Sequence, residues 1–274
     1  YDEEDEIGTL TEAFNGMAES LSQNESRRSE FVANVSHELR SPMTSITGFV
    51  EGMRDGTIPP EEHSRYLGVV SDEARRLTKL VEDLLALSRL EREDASLSWS
   101  DFDICEMLRR AMIRRISDLD ARNLDVNCDF QRSSMLVHGD SDRMEQVVVN
   151  LLDNAIRFTP DNGRITLRCR EEAGICTVTV ADSGIGVAPE NRERIFERFF
   201  TEDQAHTAGK GTGLGLSICR RILQMHGQTI RLDDTEEGAS FSFTLQAAER
   251  RNSHDGTQPG GAGEPSEDAG PAGQ

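Results

Sequence analysis

Ser36-His37-Glu38-Leu39-Arg40-Ser41-Pro42 sets an imidazole beside a carboxylate. His37 lies two residues past Val35 of an apolar seam, about 200° around a helix, so it faces solvent. An exposed imidazole is a nucleophile near neutral pH, and a neighbouring carboxylate can hold its tautomer and accept its proton. Taken alone, the pair reads as a solvent-facing histidine next to an ordinary helix glutamate. In Asn150-Leu151-Leu152-Asp153-Asn154-Ala155 the two amides are four residues apart, on one helix face opposite the apolar stripe, with Gln146 one turn earlier. Side-chain oxygens so arranged suit Mg²⁺, which takes few protein ligands alongside substrate phosphates. Arg157 adds positive charge nearby. Asp182-Ser183-Gly184-Ile185-Gly186 follows a strand pattern directly; its glycines let backbone approach a flat ligand, and its carboxylate can accept from an exocyclic amine.

Gly209-Lys210-Gly211-Thr212-Gly213-Leu214-Gly215-Leu216 is the fourth segment. Its amides, leading into a helix N-terminus, form an anion site, and Lys210 supplies a mobile cation. No G-K-[ST] closes it, so it is not a Walker A loop, and no strand immediately precedes it, which excludes the dinucleotide fingerprint. A plain flexible linker leaves the apolar helix that follows, with Leu216, Ile218, Ile222 and Leu223, unexplained.

These segments need elements to hold them. Ile7, Leu10, Phe14, Met17 and Leu21 step by three and four, and the phase runs on through Asn24, Arg28, Phe31 and Val35. The four-residue steps to Leu39 and Met43 act as a stutter, and Pro42 predicts a bend. Asp55-Gly56 marks a turn, and Pro59-Pro60-Glu61-Glu62 a helix start. The next helix carries Tyr66, Val70, Leu77, Leu80, Leu84 and Leu87, with Glu73 breaking the seam. One such hairpin has too little apolar surface to stand alone, so two copies forming a four-helix bundle are expected, a homodimer.

A second composition starts near Ser96. A helix is expected around Ile104, Leu108 and Met112, and strands at 124–130 and 135–137. Asp140 then caps a helix bearing Met144, Val148, Leu151 and Ala155. Strands at 165–169 and 176–180 are joined at Glu172-Ala173-Gly174, and two more, 229–232 and 240–245, close a mixed sheet with its helices on one face. From Ala247 the chain is Gly, Pro, Ser and acid without periodicity, which reads as disorder.

The 274 residues hold 50 acidic and 30 basic side chains, a formal charge of −20. That balance argues against binding nucleic acid or an anionic membrane surface. Five cysteines without a C-x-x-C fit a reducing compartment rather than a disulfide framework or zinc site. There is no apolar stretch of spanning length, initiator Met or signal peptide, so Tyr1 reads as a cut point within a longer protein.

In this order the segments resemble the sensor histidine kinases of two-component systems. His37 and its neighbours look like the phosphoacceptor motif, 145–160 like the N box, Asp182–Gly186 like the first glycine box, Phe196-Glu197-Arg198-Phe199-Phe200 like the F box and Gly209–Leu216 like the second glycine box. Residues 5–17 resemble the exit helix of a HAMP relay. The resemblance implies an α plus α/β fold: a dimeric two-helix hairpin, then an α/β sandwich of the Bergerat (GHKL) type. It divides the chain into 1–24 (HAMP-like helix), 25–95 (dimerisation and phosphotransfer), 96–246 (ATP binding) and a tail, 247–274.

The same resemblance implies ATP and Mg²⁺ as cofactors, His37 as phosphoacceptor and Glu38 as base. Asn150 would hold the metal, Asn154 would support phosphate or metal contacts, Arg157 would add positive charge to the cofactor site, and Asp182 would read adenine with Gly184, Gly186 and Phe196 shaping that site. Lys210, Gly211, Thr212, Gly213, Leu214 and Gly215 would form a lid over the phosphates. The partner would be a response regulator receiver domain, and the chain the cytoplasmic portion of a membrane protein whose sensor and transmembrane segments lie upstream. Ser41 stands where such kinases often carry Thr or Asn, which implies weak phosphatase activity, and Arg157 replaces a common Lys. Two alternatives are a dimer that binds ATP and signals by conformation alone, and a GHKL-type ATPase.

Overall fold

The computed structural model describes residues 3–92, 96–201 and 211–248. Helix α1, Glu3–Arg54, runs without interruption through Pro42. Gly56 takes the left-handed conformation at φ +80°, and the Thr57 amide donates to Asp55 Oδ1 at 2.9 Å. That closes the expected turn before a 3₁₀ turn, Pro60–Glu62, and helix α2, His63–Leu90. The helices lie antiparallel. Phe49 and Tyr66 pack ring to ring at 5.1 Å, and Arg76 donates to Glu38 Oε2 at 3.0 Å. Arg76 also stands 3.8 Å from Glu73, the acid in the apolar seam.

The second unit is a seven-stranded sheet with β1 (Trp99–Asp103), β2 (Asp125–Phe130), β3 (Leu136–Asp140), β4 (Arg164–Glu172), β5 (Ile175–Asp182), β6 (Ile230–Leu232) and β7 (Ser240–Ala247). The order is β1-β3-β7-β5-β4-β2, with β6 also paired to β7. Only β2 and β4 run parallel; the other pairs are antiparallel. Ala173 (φ 50°) and Gly174 (φ 78°) form the two-residue turn between β4 and β5, the twist that flanking strands favour. Alternation decides the faces. Ile165, Leu167, Cys169, Cys176, Val178, Val180, Phe241, Phe243 and Leu245 are buried under the helices. On the other face Thr179 and Ser242 share a hydrogen bond at 2.8 Å.

Helices α3 (Ile104–Arg114), α5 (Ser141–Phe158) and α6 (Gly215–Met225) cover the apolar face, with a short α4 (Ile116–Ala121) between. Asp103 caps α3 through the Cys105 amide at 2.9 Å, and Asp140 caps α5 through the Arg143 amide at 3.1 Å. β1 and α4 have no counterpart in the sequence expectations. β1 has little apolar alternation of its own and forms by pairing along β3. β7 outlasts the expected Leu245 because Gln246 and Ala247 pair with His138 and Val137. All five cysteines are free thiols, with Cys169 and Cys176 3.3 Å apart in the core.

Candidate nucleotide and phosphoacceptor site

α2 carries two apolar edges. Leu80, Leu87 and Leu90 are buried, while Leu67, Val81 and Leu85 are exposed, as are Phe14, Met17, Val32, Met43 and Val50 of α1. The buried edge receives the sheet unit. Leu90 accepts from Arg221 Nε at 3.0 Å, Phe31 meets the Phe199 ring at 5.7 Å, and Arg198 lies over Phe31 while pairing with Glu91.

His37 and Ser41 are exposed on α1, and Glu38 is half-buried because Arg76 takes its Oε2. Asn150 is not on a solvated face. It is 5% exposed, because α6 packs over that side of α5, and its amide donates to the Gly215 carbonyl at 3.3 Å. Asn154, one turn on, is half-buried. Arg157 is half-buried too; burial, and then the positive charge of Arg76, pushes its guanidinium below the usual arginine range. An arginine disfavoured by both is one that an anion would relieve.

Asp182 ends β5 with its carboxylate buried. Oδ1 accepts from the Gly184 amide at 2.8 Å and the Ala239 amide at 3.3 Å. Burial pushes this carboxyl up, against the pull of those two amides. A Cβ on Gly184 would sit 2.5 Å from the Phe158 carbonyl, and one on Gly186, at φ +72°, 2.9 Å from the Gly238 carbonyl. Both positions therefore need glycine. Phe196 packs edge-on against Phe241 at 6.3 Å.

Gly213 (φ +66°) accepts from the Phe199 amide at 2.9 Å, so the F box and the second glycine box are stitched together. Gly211 lies against the Arg157 guanidinium, where a Cβ would collide. Leu214 is buried and gives α6 no side-chain cap, in contrast to the aspartates that cap α3 and α5. The amides opening α6 thus have no side-chain acceptor from the cap position, the arrangement that suits a phosphate. Lys210 lies outside the described residues. Among the described residues no group of three or more His, Cys, Asp and Glu could hold a metal ion.

Sequence reasoning missed Arg76 and Asp83. Asp83, on α2 three residues past Leu80, is 2% exposed and accepts from Thr212 Oγ1 at 2.7 Å. The signal was an acid in phase with Leu80 and Leu87.

The phosphoacceptor domain model, His Kinase A, matches residues 27–93, and the model for histidine kinase-, DNA gyrase B- and HSP90-like ATPases matches 139–249. The chain belongs to the sensor histidine kinase family. The sensor protein SrrB of Staphylococcus aureus is 36% identical over 225 residues, which are 81% of this chain and 38% of SrrB. The chain thus spans under two fifths of the length of the curated relatives it matches. Among solved structures, the Acinetobacter baumannii histidine kinase AdeS aligns over 78% of this chain and 98% of its own at 27% identity (TM-score 0.65). The catalytic domain of histidine kinase ThkA aligns over 55% of this chain and 96% of its own at 32% identity (TM-score 0.51). ThkA in complex with the response regulator protein TrrA covers 80% of this chain and 61% of that one at 30% identity (TM-score 0.68).

Proposed function

We propose that this chain autophosphorylates His37 from ATP and passes the phosphoryl group to an aspartate of a response regulator. The observation that carries the reading is Arg157, half-buried against Gly211 just ahead of the uncapped start of α6, on a unit docked to the hairpin that bears His37. That arrangement calls for a polyanion next to a nucleophile.

Asp182 would accept from the adenine amine, between Gly184 and Gly186 and above Phe196. The α6 amides, Arg157, Lys210 and the backbone of Gly211, Gly213, Leu214 and Gly215 would hold the phosphates. Asn150 donates to Gly215 through its amide nitrogen, so its side-chain oxygen is left to face a cation, with Asn154 next to it. A bound Mg²⁺ would neutralise phosphate charge there. In the transfer a His37 ring nitrogen bonds to the γ-phosphorus as the bond to the β,γ-bridging oxygen breaks, and ADP leaves. Glu38 takes the proton from the other ring nitrogen through the oxygen that Arg76 does not occupy.

The apolar side chains exposed along both hairpin helices fit a second copy forming a four-helix bundle. Residues 1–24 would continue a HAMP-like relay into the 25–95 hairpin, with 96–246 as the ATP-binding domain and 247–274 as a tail. No described helix is long and apolar enough to cross a membrane. We place the chain as the cytoplasmic part of a longer membrane-bound sensor. The test is transfer. The chain is labelled with γ-labelled ATP, freed of nucleotide and mixed with receiver domains. Label moving to an aspartyl phosphate supports the proposal, while release of inorganic phosphate with no labelled chain favours the ATPase reading.

A further inference from the structure

We propose that Asp83 is a positioning residue for phosphotransfer, acting through Thr212 to seat the nucleotide-binding unit on the hairpin. The inference rests on the kinase reading above and adds a residue that none of its motifs contains.

Asp83 is the buried charged side chain of α2, and each of its oxygens is engaged. Lys79 Nζ, one turn earlier and half exposed, lies 3.1 Å from Oδ1, and Thr212 Oγ1 donates to Oδ2 at 2.7 Å. The same Thr212 oxygen accepts from the Leu214 amide at 3.3 Å. Leu214 leads into α6, whose Gly215 carbonyl is held by Asn150. Two hydrogen bonds therefore tie the hairpin to the Leu214 amide at the start of α6, and the next residue along the backbone, Gly215, is held by Asn150. A hydroxyl has one proton. Thr212 spends it on Asp83, so toward a phosphate it can only accept. Its side chain is thereby excluded as a phosphate donor in this conformation, and its service is to docking.

The geometry gives that docking a purpose. Phe31 with Phe199, Glu91 with Arg198 and the Leu90 carbonyl with Arg221 add further contacts between the hairpin and this unit, but none of them holds the Thr212 hydroxyl. Asp83 lies two turns from Arg76 on α2. Arg76 holds Glu38, the neighbour of His37, and its charge reaches Arg157 on the other side of the interface. Thr212 follows Gly211, which lies against the Arg157 guanidinium, so seating Thr212 on Asp83 holds Arg157 at the interface that carries Arg76. A displacement of about 1 Å at such a joint can cost about 100-fold in rate. Nucleotide affinity itself is set by Asp182, the glycines and α6, all within one unit.

The test uses the full chain with D83A, D83N, T212V, T212S and the D83A/T212V double variant. The readouts are affinity for a fluorescent ATP analogue, autophosphorylation rate at saturating Mg²⁺-ATP, and amide exchange of residues 211–218. D83A and T212V are each expected to lower the saturated rate at least tenfold while analogue affinity changes less than threefold. The double variant should fall no further than the worse single one, because both break the same bond. T212S keeps the hydroxyl and should retain most of the rate. Exchange at 211–218 should quicken in D83A although the change lies on another element. If D83A fails to fold, T212V carries the same comparison, while D83N, whose amide oxygen can still accept from Thr212, should retain more of the rate. Unchanged rates with unchanged exchange, or a loss confined to KM, would overturn the proposal. Wild-type chain that takes no label at His37 would defeat the kinase reading instead, and exchange in D83A would still judge the latch.

Discussion

Asp182→Asn separates recognition from stability in one substitution. The carboxylate is buried, and Oδ1 holds the loop through the Gly184 and Ala239 amides at 2.8 and 3.3 Å. Asparagine can keep both bonds with its oxygen. Its nitrogen then replaces the second acceptor with a donor, toward the position proposed for the adenine amine. One hydrogen bond to a charged group is worth about 1.5–3 kcal/mol, which is roughly 10- to 150-fold in ATP affinity. Stability should move the other way. Burial raises this carboxyl above its ordinary value of 3.8. The folded chain therefore holds the proton more tightly than the unfolded chain. This contribution favours folding below the unfolded pKa and is lost as pH rises through the raised one, which leaves a standing cost at neutral pH. The variant lacks that cost, so its Tm at pH 7 should equal or exceed wild type, and the gap should close toward pH 4. Calorimetric ATP titration and thermal melts at both pH values check the pair of outcomes. Unchanged ATP affinity, or affinity and Tm falling together, would refute the assignment of Asp182 to adenine.

His37→Gln should abolish autophosphorylation and leave ATP affinity within about twofold, since His37 is exposed on the hairpin; a labelling time course with a binding titration checks it. Gly213→Ala forces a side chain into the left-handed region with its Cβ 2.7 Å from Phe199 backbone, and should cost about 1–3 kcal/mol in denaturant melts. Asp103→Ala removes an acceptor for the Cys105, Glu106 and Met135 amides, and should cost about 1–2 kcal/mol at pH 7. Burial opposes the Asp103 charge, but those amides and Ser134 hold its carboxyl below 3.8, so its stabilising contribution is present above that pH and fades as pH falls through the lowered value. The wild-type and variant melts should therefore converge in strong acid. Ser41→Thr should speed decay of a phosphorylated regulator, because the added methyl restricts χ1 and orients the hydroxyl; identical decay for Ser, Thr and Ala would remove Ser41 from that role.

Local pattern carried most of the fold. The alternation of Ile165, Leu167 and Cys169 and of Cys176, Val178 and Val180 announced β4 and β5, and Asp140 announced the start of α5. β1 escaped because Trp99-Ser-Asp-Phe-Asp has few apolar residues to alternate, and α4 because six residues give no period. The four glycine, asparagine and histidine segments were legible because each needs a special residue type: no Cβ at Gly184, φ +72° at Gly186, an amide at Asn150. What the sequence hid was burial imposed from elsewhere. Asn150 sits on the polar side of its own helix, and only the packing of α6 encloses it. Asp83 and Thr212 meet across 129 positions, a contact that no periodicity encodes.

The central claim is that His37 accepts the γ-phosphoryl group of ATP. The direct measurement is incubation of the purified chain with γ-labelled ATP and Mg²⁺, followed by acid and alkali stability of the label and its location by peptide mass spectrometry. The account predicts a phosphoryl group that is labile in acid, stable in alkali, located on His37 and absent from His37→Gln. Label on a serine or threonine, or equal label on wild type and His37→Gln, would contradict it.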